Sequence, residues 1–110
     1  MKRLTTTLCL TLAVLLGSMG EGWGANYQKG LDAYMEEDFT TALRELKPLA
    51  EQGNADAQSL LGTMYEWGQG VSKNIKTALK WHRLAAQQGN AWGQHALYLM
   101  YKDGRGVRKN

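Results

Sequence analysis

Between short polar breaks, the apolar residues of this chain recur three and four positions apart. Ala57, Leu60, Leu61, Met64 and Tyr65 make one such stripe, the spacing of a helix that buries a single face. A second helix is expected from about Ile75, with Ala78, Leu79, Trp81, Ala85 and Ala86 on its inner side. Gly68-Gln69-Gly70 ends the first stripe and Gln88-Gly89-Asn90 the second, because glycine takes the left-handed conformation of a helix end at little steric cost. Val71 is apolar within an otherwise polar loop and should plug back between the two helices. Upstream, Tyr27–Glu37 and Phe39–Gln52 read as a tighter pair joined around Asp38; downstream, about Ala91–Asp103 reads as a fifth helix. Pro48 should bend or loosen its helix, since the proline ring blocks a backbone hydrogen bond.

The pattern is also repeated. GNADAQSLLGTMYEWGQGVSKN, starting at Gly53, recurs 36 residues later as GNAWGQHALYLMYKDGRGVRKN, with 12 of 22 positions identical. Thr41, Ala42 and Leu43 fall over Thr77, Ala78 and Leu79 at the same shift. A period between about 20 and 50 residues is the signature of a stack of repeats. Small residues (Gly62, Ala78, Ala85, Ala86) let neighbouring helices approach, and larger ones (Leu61, Tyr65, Trp81) fill the space beside them. The fold class expected is all-α, an α-solenoid of antiparallel helix pairs.

Residues 1–24 read as a secretory signal peptide. Lys2 and Arg3 precede a short apolar core, Leu8–Leu16, followed by small residues. That run is well below the roughly 20 residues of a spanning helix, so no stable membrane anchor is expected after cleavage. Cleavage falls after Gly24 or after Ala25. The single cysteine, Cys9, lies within the signal, so the exported chain has no disulfide to staple it. Beyond Gly24 there are 11 Lys+Arg against 9 Asp+Glu. These charges are interspersed, with a mild cluster at Lys102, Arg105, Arg108 and Lys109, and form no basic stripe of the kind that binds nucleic acid. The units are then 25–53, an opening helix pair; 54–89, a full repeat; and 90–110, the first helix and loop of another.

Ala55-Asp56-Ala57-Gln58, Leu61-Gly62-x-x-Tyr65, Gly68-x-Gly70-Val71, Ala78-x-x-Trp81 and Ala85-Ala86-x-x-Gly89 together resemble the Sel-one-like repeat family, relatives of tetratricopeptide repeats. The opening pair, with Gly30, Tyr34, Asp38, Phe39 and Ala42, looks closer to a tetratricopeptide unit. The resemblance implies a superhelix whose concave side holds a protein or peptide ligand, and an exported adaptor working in the periplasm or outside the cell. Some cysteine-rich relatives carry β-lactamase activity, which makes a hydrolase of cell-wall peptides or β-lactams the alternative function. This chain lacks their repeated cysteine pairs.

Catalytic signatures are poor. His82 and His95 are the only imidazoles; they fall on different helices, with His82 expected to face solvent and His95 at the variable position held by Ser59. No catalytic residue, cofactor or metal ligand is assigned, and the partner is an unknown protein or peptide. Trp81, Tyr65 and Tyr101 occupy repeat positions and are assigned to the core. Trp67 and Trp92 stand where the other unit carries Asp103 and Asp56. A position that accepts Asp is normally exposed, and tryptophan is enriched at binding hot spots; the competing reading lays either ring over a neighbouring helix. Tyr98 replaces Gly62 and is expected to cover the open end of the stack. With Leu97, Leu99, Met100 and Tyr101 it suggests an exposed face for a homodimer, which makes Tyr98 and Met100 further contact candidates.

Overall fold

The computed structural model describes residues 26–108. The signal segment and its cleavage point lie outside them, as do Lys109 and Asn110. Five helices follow one another: α1 (Tyr27–Met35), α2 (Phe39–Glu51), α3 (Ala55–Trp67), α4 (Ile75–Gln87) and α5 (Ala91–Asp103). Among the described residues there is no strand, and no helix is long and apolar enough to cross a membrane.

Each helix starts the same way. Asn26, Asp38, Asn54, Asn74 and Asn90 stand at the N-caps, and each side-chain oxygen accepts from the backbone N–H three residues on. Such a cap satisfies one of the orphan donors of the first turn. The α3 and α5 ends match as well, with Gly68 and Gly104 both left-handed at φ 67° and 69°. The α1–α2 link is shorter and does without glycine: Glu37 itself takes φ 62°. That residue cuts α1 off at Met35, two residues before the end expected from the sequence. Pro48 does not break α2, which runs on to Glu51. Leu46, Leu49 and Ala50, on both sides of the proline, are buried and hold both parts of the helix against the core.

Each helix packs on its neighbours in sequence, and α3 also reaches α5. The core under the first three helices is Ala33, Ala42, Leu46, Leu49, Ala50, Ala57, Leu61 and Met64, with Leu60, Tyr65, Val71 and Trp81 packed against it. The stripe read from the sequence is therefore the inner one, and Val71 does plug back. One assignment on α4 is corrected: His82 does not face solvent but is 1% exposed. It fills the space over Gly62, where an added Cβ would lie 2.8 to 3.0 Å from the imidazole atoms. The glycine that lets two helices approach is paired with a particular ring.

Candidate functional site: a trough across alternate helices

The first helices of the three units turn one side to a common trough. Its cavity, about 440 Å³, is lined by Tyr27 and Leu31 of α1, by Ser59, Leu60, Thr63, Glu66 and Trp67 of α3, and by Trp92, His95, Ala96 and Leu99 of α5. Arg105, in the loop after α5, closes one wall. The lining is mostly apolar, with a few polar groups set into it, the usual make-up of a binding cleft. Burial, and then the carboxylate of Asp56, push the Tyr27 hydroxyl above its ordinary pKa. It stays a neutral donor and acceptor within the trough.

Trp67 and Trp92 lie on this lining at 59% and 73% exposure. Neither ring is buried under a neighbouring helix. Trp67 is held on one side by Arg105, whose guanidinium carbon is 5.6 Å from the ring centroid, within reach of a cation–π attraction. Trp92 stands freer; its α5 start is tied to α3 by Asn90 Nδ2, which donates to Asp56 Oδ1 at 2.7 Å.

The end face of α5 differs from its expectation. Tyr98 is 60% exposed, with Lys102 Nζ 5.9 Å from its ring. Met100 is fully buried and cannot touch a partner. A helix cannot present five consecutive side chains on one side; Met100, two turns on from the Gly93 that meets α4, is enclosed, and Leu97, Leu99 and Tyr101 are half-buried. Tyr101 is held there by Arg83 Nη2, which donates to its hydroxyl at 2.9 Å. The face proposed for a dimer thus shrinks to Tyr98 and its margins.

An ionic cluster that sequence reasoning missed reaches from the trough wall into the core. Glu66 is buried on α3 and pairs through Oε2 with Arg105 Nη1. Its other oxygen faces His82 Nε2 at 3.4 Å. Burial, the largest influence, pushes the imidazole below its ordinary pKa, and Arg105 adds to this; Glu66 opposes both. His82 is therefore neutral at pH 7. The clue in the sequence was positional: Glu66 and Arg105 replace Lys102 and Gln69 of the other unit. His95 stays apart, exposed in the lining of the trough. Among the described residues no group of acidic, histidine or cysteine side chains is placed to hold a metal ion.

Paired helices built on a shifted repeat, with a cleft along their first members, define an α-solenoid repeat protein. The profile of the Sel1 repeat matches residues 55–90 and again 93–110, and the chain belongs to that family. It is similar to the crystal structure of a Sel1 repeat protein from Oxalobacter formigenes, with a TM-score of 0.72 and 38% identity over 77% of this chain. The match spans only 35% of that longer protein. No curated protein matches the chain significantly. Sel1 repeats are generally protein–protein interaction modules and typically not enzymes.

Proposed function

We propose that this chain is an exported interaction module that holds a protein or peptide segment in the trough across α1, α3 and α5. One observation carries the reading: two exposed tryptophans, Trp67 and Trp92, stand on one apolar cleft rather than scattered over the surface. Exposed tryptophan on a cleft wall contributes a large, rigid contact area, and such residues dominate binding energy where they are buried by a partner. Export rests on the charged start and short apolar core of residues 1–24, and places the partner in the periplasm or outside the cell.

The test is photocrosslinking in cells from a reactive residue put in place of Trp92, against one at Lys80, which is exposed on α4. A discrete adduct from position 92 and none from position 80 is expected. Equal adducts from both positions, or none from either, would remove the trough as the binding surface.

A further inference from the structure

His82, Glu66 and Arg105 form a chain of contacts from the core to the trough. His82 lies inside, and neither of its ring nitrogens has a hydrogen-bond partner within the protein. Glu66 divides its two oxygens, one toward His82 and one to Arg105. Arg105 lies over Trp67. Charge reaches the imidazole from two packed elements: Glu66 on α3, and Arg105 in the loop after α5. Against this part of α4, α5 presents the bare backbone of Gly93, beside the His82 carbonyl. Asp103 stands 3.9 Å from Arg105 Nη2.

We propose that this cluster is an acid-operated switch on the trough, in which a proton taken up by His82 draws Glu66 to it and releases Arg105 from Trp67. The proposal deepens the reading of the trough as a binding surface. Its physics is a competition of two cations for one carboxylate. A buried imidazolium without a counter-charge is very costly, and Glu66 is the carboxylate in reach. Arg105 is 29% exposed along its side chain against 1% for His82. Arg105 can therefore hydrate its charge when released, and His82 cannot. Arginine is the one that leaves. Because burial opposes protonation, the switch works on the acid side of the ordinary histidine value of about 6.5. The first unit cannot do this: Leu46 sits over Gly30 where His82 sits over Gly62.

The decisive measurement follows the Trp67 indole N–H and the His82 ring signals by NMR from pH 7.5 downward, with Trp67 assigned through Trp67→Phe. The two are expected to move together along one curve with its midpoint below 6.5. In His82→Leu, which copies Leu46, the Trp67 signal should stay still, and in His95→Gln it should move as in the parent. Should His82→Leu not fold, Glu66→Gln serves instead and should also uncouple Trp67 from His82. A Trp67 signal that does not move in the parent, or that still moves in these His82 or Glu66 variants, overturns the switch. No ligand is added, so that failure would leave the binding role of the trough standing. Failed crosslinking from position 92 alongside a normal titration would do the reverse.

Discussion

The two helix pairs of this protein solve the same packing problem with opposite chemistry. In the first, Leu46 of α2 covers Gly30 of α1, 2.8 Å from where a Cβ would stand. In the second, His82 of α4 covers Gly62 of α3 at the same distance. Four residues beyond each glycine comes Tyr34 or Glu66, and a side chain from the loop one repeat further on returns to it. Gln69 accepts from the Tyr34 hydroxyl at 2.9 Å, while Arg105 donates to the Glu66 carboxylate. Leu46 and His82 are 36 residues apart, as are Gln69 and Arg105. The repeat therefore preserves a bare backbone spot with a bulky side chain over it, and a strap from loop to helix. It leaves the charge of that strap free. In the second unit the freedom is used to set a buried carboxylate and its arginine into the wall of the trough.

The largest contrast should come from cutting the two straps. Arg105→Met leaves the Glu66 carboxylate buried without its cation. Breaking a fully buried pair costs about 3–5 kcal/mol; with Arg105 partly in solvent, about 2–3 kcal/mol is expected. Gln69→Met removes one neutral hydrogen bond at a half-buried tyrosine and should cost about 1 kcal/mol. Urea midpoints of the two variants measure the difference. Equal losses would show that the chemistry of the strap does not matter and that its contact alone does.

Next comes the glycine itself. Gly62→Ala drives a methyl into the His82 ring, an overpacking of about 1–3 kcal/mol, offset by about 1 kcal/mol of better helix propensity. Combining it with His82→Ala should recover part of the loss, since the ring is what the methyl meets. Strict additivity in that double-mutant cycle would mean that Gly62 is needed for some reason other than the imidazole. Gly30→Ala with Leu46→Ala should show the same coupling in the first pair.

Acid should separate the pairs by a smaller amount. The unfolded chain binds a proton at His82 near the ordinary value of about 6.5, while burial sets the folded value lower. Above 6.5 neither state is protonated there and stability is unaffected. As pH falls below 6.5 the unfolded state takes the proton first, so stability declines until the folded value is passed. His82→Leu should remove this part of the decline. Urea melts at pH 7.5 and 5.5, parent against variant, report it.

Most of the architecture was legible because packing of a repeat is written as spacing. Ala57, Leu61 and Met64 declared the inner side of α3, and Gly68 its end, by type and position alone. What spacing could not declare was the partner of each small residue. Gly62 announced a close approach but not that a polar ring would fill it. His82 follows Trp81, and propensity for burial ranked the two the wrong way round: Trp81 is only half-buried while His82 is enclosed. Trp81→Ala is accordingly expected to cost less than a core tryptophan would. Met100 and Tyr98 were separable by register: Met100 repeats the buried Met64 after 36 residues, and a rotation of about 100° per residue turns Tyr98, two positions earlier, away from that side. The exposure of Trp67 and Trp92 was legible, because aspartate holds the same positions in the other unit.

The finest contrast lies between these two tryptophans. Both are exposed on the trough, but Trp67 is joined to the ionic strap through Arg105, and Trp92 is not. Trp67→Ala removes a cation–π contact of about 0.5–1 kcal/mol and loosens the hold on Arg105. It should lower stability slightly and weaken partner binding together. Trp92→Ala touches no such contact, so its melting should stay within about 0.5 kcal/mol of the parent. If the ring anchors a partner, affinity should nonetheless fall by about 2 kcal/mol, the size of a hot spot. Thermal melts beside binding of the crosslinked partner separate the two effects. A Trp92→Ala protein that melts early would place that ring among the structural contacts of α5, leaving Trp67 as the one tryptophan whose exposure serves binding.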